Sequence, residues 1–247
     1  MIQTVKAEKV YEDGRHEDRD TAVLKEHVLT VLVNETPAFR LVCTKSDLRE
    51  LITGRLYTEG LIEKAEDIHK IYFCRSMEEA SVFLNYEPRL EGNKEAEPSC
   101  CAGNIAYLSR FGGRPLKNLN SVKPDPSGVF QLADRFFEGT RLHRLTQGTH
   151  SCFLEREGEL LYSCEDIGRH NAVDKAVGYG VLNGVLFDEC MLFTSGRIPV
   201  DMVQKVIAAG IPVLVTKSVP TAESIALSKQ YGLTLIGRAH KDSYEVY

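Results

Sequence analysis

The second half of the chain alternates between short apolar runs and amphipathic stretches, and that pattern restricts the fold most. "CMLFTS", "IPVLVT" and "LTLIG" are separated by helical stretches over about 199–209 and 221–231. A further helix over about 170–182 precedes them, and before it "SCFLEREGELLYSC" reads as a hairpin turning at Glu157-Gly158. Strands joined by helices of this length form βαβ units, because a parallel neighbour needs a crossover that lies on a face of the sheet. Upstream, 129–143 reads as one more amphipathic helix. Ligands of such sheets bind beyond the C-terminal strand ends, where loops lead into helices.

The first half is less regular. Residues 1–20 are charged and read as irregular. "VLTVLVNETPAFRLVC" reads as two strands around an Asn34-Glu35-Thr36-Pro37 turn. Ser46 is the expected N-cap of a helix over 47–59, with Leu48, Leu51, Ile52, Leu56 and Tyr57 on one face. "IHKIYFC" and "SVFLNYE" add two strands, and polar "PRLEGNKEAEPS" then leads into Cys100 and Cys101. The breaker cluster "KPDPSG" at 123–128 separates the halves. The expected architecture is α/β in two units. A smaller α+β N-terminal domain, 1–122, carries a mobile cysteine loop at about 88–104. A C-terminal α/β domain, 123–247, has a mixed, largely parallel sheet covered by helices.

A net charge of −5 over 247 residues argues against broad nucleic-acid binding. There is no apolar run of membrane-spanning length, and the N-terminus lacks the apolar segment of a secretory signal. The expectation is a cytoplasmic protein with neither nucleic-acid nor membrane partners. Seven cysteines, an odd number, do not suggest a disulfide framework, and in a reducing compartment they are thiols. Cys43, Cys74, Cys152, Cys164 and Cys190 lie in or beside apolar runs and read as core or strand residues. Cys100 and Cys101 are different: adjacent thiols in a polar stretch suit a metal site, a disulfide, a nucleophile or chance. A structural disulfide between them is disfavoured. Neighbouring Cα atoms stand about 3.8 Å apart, below the roughly 4.4–6.8 Å of a relaxed bridge.

Two loops face the expected cleft. In "CEDIGRHNAVDK", 164–175, the helix wheel gathers His170, Asn171, Asp174 and Lys175 on one arc and Ala172, Val173, Ala176 and Val177 on the other. Arg169 falls on the apolar side and is assigned to the turn, which Asp166 or Glu165 can cap. This segment reads either as a well-capped helix with a solvated face or as Glu165, Asp166, Arg169, His170 and Asn171 converging on a ligand. In "FTSGRIPVDMVQK", 193–205, a strand ends and Ser195-Gly196-Arg197 turns, with Pro199 at the first helical position. Free backbone N–H groups, a glycine and an arginine there suit a phosphate, although the glycine spacing matches neither a Walker loop nor a dinucleotide fingerprint. "SVPTAES" at 218–224 repeats the geometry.

Taken together, "EDIGRHNAVDK" (165–175), "GTHSC" (148–152), "TSGRIPVDMVQK" (194–205), "AGIPVL" (209–214), "PTAESIAL" (220–227) and "GLTLIG" (232–237) resemble the formate dehydrogenase accessory family, the FdhD-type sulfurtransferases. The likeness is nearly continuous through the second half and looser over 28–62. It implies a sulfur carrier that takes sulfane sulfur from a cysteine desulfurase as a persulfide. The sulfur then passes to the molybdenum bis-guanine-dinucleotide cofactor, bound as substrate, before that cofactor enters formate dehydrogenase. It also implies a cytidine-deaminase-like C-terminal fold, a homodimer, and guanine nucleotide binding that GDP or GTP would mimic. The family's binding stretch after the last strand corresponds to Arg238, Ala239, His240, Lys241, Asp242 and Ser243. His150, Glu165, Asp166, Arg169, His170, Asn171, Ser195, Gly196 and Arg197 complete the implied cofactor site. Arg169, His170, Arg197, Arg238 and Lys241 would balance its charge.

One departure stands out. Where the family carries Cys-Gly-X-Cys-Gly, this chain has "SCCAGN". Aligned on the flanking "AYL", Cys100 takes the first cysteine's place and Gly103 the second's, leaving Cys101 as the neighbouring thiol. The persulfide role therefore falls on Cys100, with Cys101 as an accessory. The rival readings are a cofactor chaperone that binds the guanine nucleotide without carrying sulfur, and a zinc-dependent deaminase. The deaminase reading lacks its motifs, since no His-X-Glu and no Cys-X-X-Cys occurs, and no metal ligands are assigned.

Overall fold

The computed structural model describes residues 1–88, 96–97 and 114–247. Most of the expected cysteine loop, including Cys100 and Cys101, lies outside the described residues. The N-terminal segment is not irregular: β1 (Ile2–Val10) and β2 (His16–Leu24) form an antiparallel ribbon. Cross-strand polar pairs line it, an ion pair of Lys6 with Asp20 at 2.8 Å and a hydrogen bond between Glu8 and His16 at 2.9 Å, in place of the apolar alternation that announces most strands.

Strands β3 (His27–Val33), β4 (Thr36–Cys43), β5 (Ile68–Phe73), β6 (Glu79–Leu84) and β7 (Ala96–Glu97) make a five-stranded sheet ordered β5-β6-β3-β4-β7. Asn34 and Glu35 alone make the β3–β4 turn, both at positive φ, so Thr36 and Pro37 already belong to β4. Helix α1 (Leu48–Thr58) buries Leu48, Leu51, Ile52 and Leu56 against Leu29, Val31 and Leu41 of this sheet. Its N-cap is Asp47, in the left-handed region without a side-chain cap bond, and not Ser46.

The expected helix over 129–143 is two helices, α2 (Pro126–Glu138) and α3 (Arg141–Thr146), because Gly139 takes φ +77° and ends the first. Strands β8 (His150–Arg156), β9 (Glu159–Asp166), β10 (Cys190–Thr194), β11 (Val213–Thr216), β12 (Thr234–Gly237) and β13 (Glu245–Val246) form a six-stranded sheet ordered β13-β12-β11-β10-β8-β9. It is mixed but not largely parallel. Only β10–β11 and β11–β12 run parallel; β8–β9, β8–β10 and β12–β13 are antiparallel. The two-residue turn makes β8–β9 antiparallel, the non-consecutive β8–β10 pairing could not be read from local pattern, and the short β13 had no apolar run to announce it.

Helices cover both faces of this sheet. Val129, Leu132, Ala133 and Phe136 of α2 pack on Phe153, Phe193 and Val215. On the other face α4 (Arg169–Leu182) and α5 (Val200–Ala209) enclose Leu154, Leu192 and Leu214, with α6 (Ala222–Tyr231) beside them. Then α1 lies across α4 and carries the five-stranded sheet. The α1–α4 crossing is close because it is made of glycine. A Cβ added to Gly54 would stand 1.8 Å from the Asp174 carbonyl oxygen, and one on Gly178 would stand 1.8 Å from that of Glu50.

Candidate functional site

The segment 165–175 does not present a solvated arc. Asp166, Arg169, Asn171, Asp174 and Lys175 are buried where the N-terminal sheet and α1 meet the six-stranded sheet, and Glu165 and His170 are partly exposed. Asp166 accepts the Thr44 backbone N–H (3.0 Å), the Thr44 hydroxyl (2.9 Å), the Gly168 N–H (2.9 Å) and the Asn171 amide (2.9 Å), and pairs with Lys175 at 2.7 Å. The same Asn171 amide donates to the Val42 carbonyl at 2.8 Å. One turn on, Lys205 Nζ of α5 donates to both Asp174 oxygens at 2.5 Å, and Thr58 of α1 donates to Oδ1 at 3.0 Å. A buried charge is tolerable only when so partnered. The contacts to Val42, Thr44 and Thr58 join elements more than 110 positions apart, so the wheel could not locate them.

Glu165 is committed as well. Its carboxylate lies over the N-terminus of α3 and accepts the Leu142 and His143 N–H groups at 2.8 and 2.7 Å, and the Thr140 and Thr149 hydroxyls at 2.5 and 3.0 Å. A carboxylate suits the positive end of a helix dipole. Arg169 is the first residue of α4, not part of the preceding turn, and its side-chain stem fills the space a Gly196 side chain would need.

The remaining expected residues gather at one rim, at the C-terminal ends of β10, β11 and β12. Three loops there are bonded in series: Thr216 Oγ1 donates to the Gly196 carbonyl (2.7 Å), the Arg238 N–H to the Ser218 carbonyl (2.8 Å), and the Ala239 N–H to the Thr216 carbonyl (3.0 Å). Ser195 Oγ accepts the Ser151 N–H at 3.1 Å and lies 3.2 Å from His150 Nδ1. Arg197 is exposed. In the stretch 238–243, Ala239 faces the core, Arg238 pairs with Glu245 at 3.4 Å, and His240 to Ser243 form an exposed turn closed by the His240 N–H on the Ser243 carbonyl. That stretch leads into β13 and does not follow the final strand.

Sequence reading missed Asp201, in the first turn of α5. Its Oδ2 accepts His170 Nε2–H at 2.6 Å, and an ionised carboxylate fixes that tautomer, leaving Nδ1 unprotonated. Burial lowers the His170 pKa below the usual histidine value, with Asp201 opposing the shift. Burial lowers His150 too, reinforced by the neighbouring His143. The only sequence signal for Asp201 was its position one turn beyond the Ser-Gly-Arg turn.

The described cysteines supply few nucleophiles. Burial pushes Cys43 and Cys190 up to about 12, and Cys152 well above the ordinary thiol value. Cys74 is not core: it is half-buried just past β5, and the Ser76 hydroxyl lowers its pKa. Among the described residues, no group of three His, Cys, Asp or Glu side chains is arranged to hold a metal ion, and no helix is long and apolar enough to cross a membrane.

The FdhD/NarQ family profile matches residues 24–247, all but the first strand and most of the second. This chain belongs to the FdhD/NarQ family. It is 28% identical over 243 residues to the sulfur carrier protein FdhD of Listeria innocua, covering 96% of this chain and 93% of that one. It is 29% identical over 241 residues to the sulfur carrier protein FdhD of Bacillus subtilis, covering 96% and 92%. Its structure matches the crystal structure of a formate dehydrogenase accessory protein from Desulfotalea psychrophila with a TM-score of 0.77. That match has 26% identity and covers 99% of this chain and 96% of the other. The alignments therefore span both sheets.

Proposed function

We propose that this protein is a sulfur carrier serving formate dehydrogenase. Cys100 accepts sulfane sulfur from a cysteine desulfurase and passes it to the molybdenum bis-guanine-dinucleotide cofactor at the C-terminal rim. The relatives' function supports the sulfur-carrier part. The observation that carries the placement is the direction of β7, which runs parallel to β4 with Glu97 level with Leu41. Strand β4 ends at Cys43, next to the Asp166 turn and the His150 end of β8. Cys100 is three positions beyond Glu97 in the sequence. A chain leaving Glu97 in the same sense can span roughly 10 Å in that distance, enough to draw level with Thr44.

In the loading step the Cys100 thiolate attacks the terminal sulfur of the desulfurase persulfide. A new S–S bond forms on Cys100, the donor's S–S bond breaks, and the desulfurase thiolate leaves. Delivery of that sulfur as sulfide takes two electrons, which a thiol pair supplies by closing a disulfide. Cys101, the next residue in the sequence, is the proposed second thiol, and an external dithiol then reduces its strained vicinal bridge with Cys100 by thiol–disulfide exchange, becoming a disulfide itself. The exposed Arg197 and Lys241, with the α5 N-terminus, suit the cofactor's phosphates. A cytidine-deaminase-like C-terminal unit and a homodimeric state form part of the same reading.

The test is intact-protein and peptide mass spectrometry after incubation with a cysteine desulfurase and cysteine. The expected result is a single added sulfur on the Cys100 peptide, lost in Cys100→Ala and kept in Cys101→Ala. No adduct on either cysteine overturns the carrier reading. Nucleotide binding without any adduct would leave a cofactor chaperone.

A further inference from the structure

We propose that Phe137 is the stacking platform for the guanine base, with Lys217 and Lys241 as its phosphate-side cations, an inference that rests on the nucleotide part of the reading above. Phe137 is the penultimate residue of α2. Its neighbour Phe136 points into the core, while Phe137 lies off the buried face of the helix and stays 38% exposed. One exposed phenylalanine needs no explanation. Its surroundings do. His240 of the loop after β12 stacks beside it with ring centroids 5.9 Å apart at 30°. Lys241 Nζ stands 5.7 Å from the Phe137 centroid, and Lys217 Nζ, from the loop after β11, 5.9 Å from it and 4.8 Å from Phe136.

Among the described residues neither lysine has a carboxylate within ion-pair distance, so both charges face aromatic rings and solvent. The attraction of an ammonium to a ring positions it without neutralising it. The Gly196 carbonyl is bonded to Thr216, the residue before Lys217, which ties this aromatic corner to the Ser195–Arg197 turn. An exposed ring flanked by two unneutralised ammoniums, and tied through Thr216 to the Ser195–Arg197 turn, matches a ligand with one flat aromatic end and one anionic end. A nucleotide has that shape. Base–aromatic stacking changes affinity by roughly 5- to 150-fold per base.

The chain contains no tryptophan, so Phe137→Trp creates a single fluorescent reporter at the proposed platform. GDP is titrated into the full chain by calorimetry for the native protein, Phe137→Ala and Phe137→Leu, and by fluorescence for Phe137→Trp. The expected result is that the Ala and Leu variants, folded by circular dichroism, bind GDP about 5- to 150-fold more weakly. Emission of Phe137→Trp is quenched saturably by GDP and not by pyrophosphate. Lys217→Ala and Lys241→Ala weaken GDP while leaving guanosine unchanged. Native-like GDP affinity in both Ala and Leu variants, with unmoved emission from Phe137→Trp, overturns the platform and leaves the nucleotide reading standing. If the native protein fails to bind GDP, the nucleotide reading and the platform fall together.

Discussion

The glycine crossing of α1 and α4 yields a prediction whose size can be worked from distances. In Gly54→Ala the new methyl would sit 1.8 Å from the Asp174 carbonyl oxygen and 2.7 Å from the Gly178 nitrogen. Non-bonded heavy atoms settle near 3.5 Å, so the helices must part by roughly 1.5 Å. Both contacts are to backbone, and no rotamer change relieves them. Separation also stretches the 3.0 Å bond from Thr58 to Asp174 beyond hydrogen-bonding range. Overpacking costs about 1–3 kcal/mol, and a lost hydrogen bond to a buried charge about 1.5–3 kcal/mol. Alanine returns about 1 kcal/mol of helix propensity. The net loss is about 1.5–5 kcal/mol, a fall in Tm of about 3–20 °C for a chain of this size. Differential scanning calorimetry measures it. Gly128→Ala in α2 is the control, because its methyl meets only the flexible end of Met191 at 3.3 Å. If Gly54→Ala melts with the control, the crossing is not held at glycine contact and the reasoning fails.

Other outcomes follow from the same contacts. Lys205→Met removes the nearer of two cations beside buried Asp174, leaving Arg55 at 4.0 Å, and should cost about 3–5 kcal/mol, whereas Lys205→Met with Asp174→Asn should recover part of it; denaturant midpoints decide. Glu165→Ala uncaps α3, and hydrogen exchange should rise selectively over residues 140–149, by about 1–2 kcal/mol in local stability. His150 and His170 have folded pKa values below the unfolded value of about 6.5, so their neutral forms favour the fold. Their contribution is full above that pH and is lost as pH falls through it toward the depressed folded values. A His150→Gln, His170→Gln double variant should therefore show a flatter Tm between about pH 7 and 5 than the native protein.

Strand–helix alternation was legible because each element of the second half carries its own periodicity, and β10 through β12 lie where "CMLFTS", "IPVLVT" and "LTLIG" placed them. What failed was orientation. The density of polar groups at 165–175 was visible, but its cause was a set of partners at Val42, Thr44 and Thr58, and no local pattern reports a contact across that distance. Periodicity assumes that polar means outward, and a buried polar arc inverts the assumption. The N-terminal ribbon was missed for the opposite reason: polar pairs across strands leave a sequence that looks like coil. Phe137 and Lys217 drew no attention because they come from different segments and meet only through the loop after β11.

The buried polar arc of α4 also has a thermodynamic meaning. Asp166 and Asp174 take partners from Thr44 and Thr58 on the N-terminal side and from Lys175 and Lys205 on the C-terminal side. Parting the two sheets would leave buried carboxylates short of their bonds, so both sheets should unfold in one cooperative transition.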